Sequence, residues 1–268
     1  MNIKAMAKYV LALAVLSTLG NVAQAAEITP SKATARKLSV EVQPSSKDYV
    51  LGELVRLRIR ITNRSDQPIV LSQRPSVDAG DIRVLVAERD GFRKYIGPQW
   101  GIQDVATAAA IELAPEEYVE TQATLLYHHR VETKHLSASY AQQINRDYID
   151  SDYAFTTPGT YRIKVVFSGG ESFGSVESEP VSISVREPKG GALKVWNALK
   201  RDARLGYFLQ AGGPNGDPRS PESEELAETL NALATTYPES PQVGDILSSL
   251  SKYTKSLKKL KEMKLPQE

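Results

Sequence analysis

The chain has 268 residues and no cysteine. Disulfide staples, thiolate metal sites and anchorage through a lipidated cysteine are therefore excluded. Its 33 basic and 32 acidic side chains nearly cancel, which argues against a general nucleic-acid binder, whose surface carries a basic excess.

The first 25 residues read as a signal peptide. Lys4 and Lys8 supply the positive start, Tyr9 to Leu19 form a short apolar run, and Ala23-Gln24-Ala25 fits the small-x-small cleavage rule. The expected destination is the periplasm, with full secretion as the alternative. Without Lys4 and Lys8 the remaining chain carries 31 basic against 32 acidic groups, close to neutral. Residues 26–37 are small and polar and read as a flexible lead-in.

From Leu38 the pattern has period two. Leu38, Val40 and Val42 alternate, and Val55 to Ile61 places arginines on the wet face of a clean strand. Asn63 to Pro68 is a turn cluster, with Ile69 to Leu71 as the return strand. Ile82 to Ala87 and Phe92 to Ile96 flank Arg89-Asp90-Gly91, a hairpin signal because Asp-Gly tolerates positive φ. Ala106 to Ala110 fits either a short helix or a loop. Glu112 to Glu117 reads as a turn and Tyr118 to Tyr127 as a strand. Thr157-Pro158-Gly159 then opens a strand in which Tyr161, Ile163, Val165 and Phe167 alternate with Arg162 and Lys164. Gly169-Gly170 reads as a turn, and Val181, Ile183 and Val185 as the last strand.

About eight evenly spaced strands predict a fold that is mainly β plus α: an immunoglobulin-like antiparallel β-sandwich over 38–187, with Tyr161 as its tyrosine corner. Residues 128–152 break the spacing as a long insertion. After Pro188 the period becomes helical, predicting an α-helical region over 188–268 of about three helices. The first runs from Leu193 to Gln210, with Trp196 as the knob that docks it. The second starts at the N-cap Ser220 with Pro221 in its first position, and the third begins near Ser240. The lysines from Lys252 to Lys264 suit the negative end of that last helix.

Several pieces resemble a known family. Asn63 to Leu71, Arg89-Asp90-Gly91 followed by Tyr95-Ile96-Gly97-Pro98, Leu113 to Glu117, and Pro158 to Tyr161 occur in the order seen in the non-catalytic β-sandwich pro-region of deuterolysin-type zinc proteases. Glu116 stands where that pattern usually has glycine. No His-Glu-x-x-His occurs, so the resemblance implies fold and export without zinc or proteolysis. Tyr237-Pro238-Glu239-Ser240-Pro241 between two amphipathic stretches resembles the joint of bacterial tetratricopeptide-like hairpins, although such repeats need about three units to be stable.

No reactive constellation stands out. On a helix, His128 and His135 sit about 10 Å apart; on a strand, His129 and His135 sit about 20 Å apart. Neither spacing makes a metal site. Asp147, Asp150 and Asp152 do not match an EF-hand loop. The candidate ligand-binding residues are Trp100, Tyr95, His129, Tyr140 and Tyr148, aromatic and imidazole side chains in or beside loops, where a ring can stack on a sugar or peptide. No catalytic residue, cofactor or metal is called for. The sequence therefore predicts a non-enzymatic binding or scaffolding protein of the cell envelope. It would engage another envelope or exported protein through loops at one end of the sandwich; contact with nucleic acid or a membrane is not expected. The alternatives are an inhibitor or accessory partner of an exported protease, and a hydrolase with an unrecognised site in the 128–152 insertion.

Overall fold

In the computed structural model, residues 37–262 are described except for 72, 78, 90, 99–109 and 130–150. They fall in one compact unit, Ser31–Glu268. The expected signal peptide over 1–25, the expected lead-in up to residue 36 and the Ala106–Ala109 stretch lie outside the described residues.

Two sheets, largely antiparallel, carry most of the described strands. The first orders β1 (Leu38–Pro44), β3 (Val55–Asn63) and β8 (Tyr118–Leu125) with β3 central. Val40 opposes Ile61 and Val42 opposes Ile59 on one side of β3; Leu57 opposes Ala123 on the other. The second orders β2 (Asp48–Val50), β13 (Val181–Arg186), β11 (Gly159–Ser168), β5 (Ile82–Ala87) and β6 (Arg93–Lys94), with β12 (Ser175–Glu177) also paired to β11. Among the described residues, only the β2–β13 pairing is parallel. Strict alternation explains the layering: Leu57, Ile59 and Ile61 from one sheet and Ile163, Val165 and Ile183 from the other are almost fully buried in one shared cluster. Each such side chain contributes about 1.5–3 kcal/mol when buried. Two short ladders complete the β portion, β4 (Ile69–Leu71) with β7 (Ile111–Leu113) and β9 (Tyr127–His129) with β10 (Ser151–Tyr153).

Two turns have visible causes. Asn63 is fully buried and fully used: its Nδ2 donates to the Gln67 and Leu113 carbonyls, and its Oδ1 accepts from the Ser65 N–H. The Tyr161 hydroxyl donates back to the Thr157 carbonyl at 2.8 Å, pinning the start of β11.

The structure corrects several expectations. The stretch read as one strand from Tyr118 to Tyr127 ends at Leu125, and β9 starts two residues later. The outermost residues of the 128–152 insertion are paired strand, so the insertion proper narrows to 130–150. β2, β7, β10 and β12 were not foreseen; each is three residues long, too short to show a period. Gly169-Gly170 does not simply turn the chain but opens a one-turn helix, α1 (Gly170–Phe173).

The expected Leu193–Gln210 helix is two. α2 (Gly190–Arg201) stops at Asp202, whose extended backbone (φ −136°, ψ 100°) and side chain, accepting from the Arg204 N–H, start α3 (Ala203–Ala211). α4 (Pro221–Thr236) has the foreseen Ser220 cap, its side chain accepting from the Ser223 N–H. α5 (Val243–Glu262) begins a few residues after Ser240.

These helices share the β core. Trp196 of α2 packs edge-on against Tyr153 of β10 at 4.8 Å, and the Tyr153 hydroxyl donates to the Leu199 carbonyl at 2.6 Å. Asp245 in the first turn of α5 accepts from the Leu54 N–H at 3.0 Å and pairs with Arg56. The Gln242 amide donates to the Leu51 carbonyl at 2.8 Å. Phe208 of α3 packs edge-on against Tyr253 of α5 at 5.2 Å.

Candidate functional site

The hairpin β5–β6 forms one edge of the second sheet, and the chain leaving it meets β8, β9 and α3 at a polar junction. Tyr95, directly after β6, is only 7% exposed. Its hydroxyl donates to the Tyr127 carbonyl at 2.7 Å and accepts from the Gln210 Nε2 at 2.7 Å. The same Nε2 donates to the Thr124 carbonyl at 2.7 Å, while the Gln210 Oε1 accepts from the Leu126 and Tyr127 N–H groups at 2.9 and 2.8 Å. One glutamine thus satisfies the backbone that the break between β8 and β9 leaves unpaired. Burial pushes the Tyr95 phenol well above its ordinary range, so it stays neutral and works as a hydrogen-bonding strut.

Two clefts flank this junction and share Lys94, Tyr95 and Ile96 as a common wall. One, of about 540 Å³, is walled by Ile82 and Arg83 of β5, by the Thr121–Thr124 stretch of β8, and by Gln210. The other, of about 750 Å³, has Glu88, Arg89, Arg93, His128, Asp152 and Thr157 around it. His128 stacks on Tyr95 with ring centroids 5.6 Å apart, and its Nδ1 accepts from the Ile96 N–H at 3.1 Å. That hydrogen bond places the proton of a neutral ring on Nε2. Asp152 sits directly opposite His128 in the β9–β10 ladder. Glu88 accepts from the Thr157 hydroxyl at 2.7 Å.

Of the five residues singled out from sequence, Trp100, Tyr140 and Tyr148 lie outside the described residues. His129 occupies β9 opposite Ser151. Tyr95 is at the centre of the junction, with its hydroxyl committed to protein groups and its ring against His128. Sequence reasoning missed Gln210, Arg83, Arg89 and Arg93. The hairpin pattern located the arginines, but nothing in the helical period of α3 marks Gln210 as the residue that reaches β8.

Among the described residues no group of three His, Asp or Glu side chains could hold a metal ion. No described helix is long and apolar enough to cross a membrane. What the site offers is a rigid, hydrogen-bonded floor, two concave walls and a surplus of guanidinium groups.

No protein-family profile matches the chain, and no curated protein does. Solved structures align with just over half of it. They include a β-glucosidase from Erythrobacter marinus (12% identity over 56% of this chain and 15% of that one, TM-score 0.29). A CARDB domain from Pyrococcus furiosus matches at 11% identity over 56% of this chain and 87% of that one, TM-score 0.25. An alkylpurine DNA glycosylase from Pseudomonas fluorescens matches at 10% identity over 56% and 30%, TM-score 0.27. The chain spans under a sixth of the glucosidase's length. Likeness this slight carries neither fold nor activity across. The resemblances to the deuterolysin pro-region and to tetratricopeptide hairpins gain no support from the profiles or the curated proteins.

Proposed function

We propose that this is an exported, non-catalytic binding or scaffolding protein of the cell envelope. Its two sheets are read as an immunoglobulin-like sandwich that grips a protein partner at the β5–β6 end. The sandwich reading draws on two facing sheets that share one core and on the Tyr161 hydroxyl turned back onto the Thr157 carbonyl, the contact a tyrosine corner makes. The observation that carries the function is the junction beneath the clefts. Tyr95 and Gln210 tie the hairpin edge, the β8–β9 break and α3 together, so the walls of both clefts stand on a fixed frame. Recognition surfaces built on a fixed frame lose less entropy on binding.

Site-directed photo-crosslinking in cells tests this. A crosslinking residue at Thr156 or Gln122, on the rims of the two clefts, should yield a discrete adduct recovered with the periplasmic fraction. The same residue at Glu228, on the exposed face of α4, should not. Adducts from Glu228 alone, or a chain retained in the cytoplasm, would overturn the reading.

A further inference from the structure

In a chain whose charges nearly cancel, α2 stands apart. Gly190–Arg201 carries Lys194, Lys200 and Arg201 and no acid. Cations in a last turn answer the negative end of the helix dipole, which accounts for Lys200 and Arg201. It gives no support to Lys194, which lies far from that end. Lys194, Asn197 and Arg201 recur at helical spacing on one face. The Arg201 Nε donates to the Asn197 carbonyl at 3.2 Å, and Lys200 lies over the Trp196 ring at 5.5 Å. Among the described residues, no carboxylate forms an ion pair with any of the three cations.

This face looks onto a cleft of about 650 Å³ whose other wall is Leu233 and Tyr237 at the end of α4. Both are half-buried and rest on the shared core. Gly191 lets Tyr237 lie against the start of α2: a Cβ there would stand 3.1 Å from the Tyr237 Cβ. No acid lines this cleft. Asp202, beside Arg201 in sequence, gives both carboxylate oxygens to Arg204. Glu239, two residues beyond Tyr237, is outside the cleft wall. Three cations above an apolar and aromatic floor therefore share one concave surface.

The spacing selects the occupant. Lys194 and Arg201 stand two turns apart, about 10 Å along the helix axis. One small anion cannot meet both, whereas an extended chain with acids three residues apart can, at about 3.3 Å per residue. The side chain between those acids then falls on Leu233 and Tyr237. A flat anionic membrane would reach the cations and leave that floor unused.

We infer that the α2–α4 cleft receives a short acidic segment of a partner protein. Its carboxylates meet Lys194, Lys200 and Arg201, and an apolar side chain between them packs on Leu233 and Tyr237. The site shares no lining residue with the two clefts at the β5–β6 end, so it goes beyond the binding role proposed there.

The test uses the full chain and a fluorescein-labelled octapeptide, Glu-Glu-Leu-Glu-Glu-Leu-Glu-Glu, read by fluorescence anisotropy. Binding should weaken about threefold or more between about 50 and 300 mM salt, as screened ion pairs do. Lys194→Ser with Arg201→Ser should weaken it about tenfold. Lys255→Ser with Lys259→Ser, a pair exposed on α5, should change it less than about twofold. The same peptide with serine for both leucines keeps the charge, loses the apolar anchor, and should bind about fivefold more weakly. Absence of octapeptide binding, equal binding of the serine peptide, or an equal loss from the α5 changes would each overturn the inference. So would tighter binding to phosphatidylglycerol vesicles than to the octapeptide. Crosslinks at Thr156 and Gln122 that persist when the octapeptide fails to bind would sink this site alone and leave the β5–β6 reading standing.

Discussion

The Tyr95 hydroxyl and the Gln210 side-chain amide, 115 residues apart in sequence, lie 2.7 Å apart. Between them they satisfy the carbonyls of Thr124 and Tyr127 and the N–H groups of Leu126 and Tyr127. Gln210→Leu keeps much of the side-chain volume but strands those backbone groups, and each buried unsatisfied group costs about 1–3 kcal/mol. The expected loss is about 3–4 kcal/mol in urea unfolding. Tyr95→Phe, which removes one donor and one acceptor, should cost about 1–2 kcal/mol. Because both changes break one network, the double variant should fall short of the sum by about 1 kcal/mol or more. Strict additivity would mean that the two side chains act independently.

Asp245 plays the same part at the other end of the helical region. Its carboxylate takes the Leu54 N–H and the Arg56 guanidinium, and its side chain is mostly buried while that of Arg56 is half exposed. Removing the acceptor leaves a buried N–H without a partner, so Asp245→Ala should destabilise by about 2–3 kcal/mol. Asp245→Asn keeps an acceptor for Leu54 and loses only the charge pair, which is worth about 1 kcal/mol because solvent reaches the half-exposed Arg56. Unfolding should remain a single transition in both variants, since α5 and the sheets share one core. A separate early melt of the helices would contradict that.

Much of this architecture was legible from periodicity. β1, β3, β5 and β11 each have six or more residues and alternate cleanly enough to declare an inner face. The Ser220 cap of α4 was legible because capping chemistry is local. The break at Asp202 was not. Leu193, Trp196, Leu199 and Ala203 keep helical spacing across it, and only the tertiary docking of α3 against β9 and β10 selects the capped break over a continuous helix. Glu116 sits between these cases. It stands where the resembled family pattern usually has glycine, and it has φ of 63°, the only positive value among described non-glycine residues. The candidate site was half legible: Tyr95 and the hairpin were visible, and Gln210 was hidden because its role depends wholly on what lies across from it.

Gly206 offers a prediction in which two effects oppose each other. It lies inside α3, where alanine is favoured over glycine by up to about 1 kcal/mol. A Cβ at this position would stand 2.7 Å from the Tyr153 ring and its hydroxyl oxygen. That ring is held by Trp196 and by the hydrogen bond to Leu199, so it has little room to yield. Overpacking of this kind costs about 1–3 kcal/mol. Gly206→Ala should therefore destabilise despite the gain in helix propensity, and Gly206→Ala combined with Tyr153→Phe should recover little of the loss, because the ring remains. A Gly206→Ala variant more stable than the parent would show that α3 can slide on β10.

Glu53 gives the pH dependence. It lies partly buried in the turn between β2 and β3, where it accepts from the Val50 N–H. Burial raises its pKa above the ordinary 4.5, and the nearby Asp245 pushes the same way; the Val50 N–H, Arg186 and Arg56 pull against it without prevailing. A carboxyl whose folded pKa exceeds its unfolded one contributes most when protonated. That contribution is complete below the unfolded pKa and is lost as pH rises through the folded value. Glutamine keeps an acceptor for Val50 and never ionises. Glu53→Gln should therefore melt at a higher temperature than the parent at pH 7 to 8, and the two curves should converge as pH falls below about 4.5. A difference that stays constant across that range, or that favours the parent at neutral pH, would mean that the ionised carboxylate is held well enough by Val50, Arg56 and Arg186 to outweigh its burial.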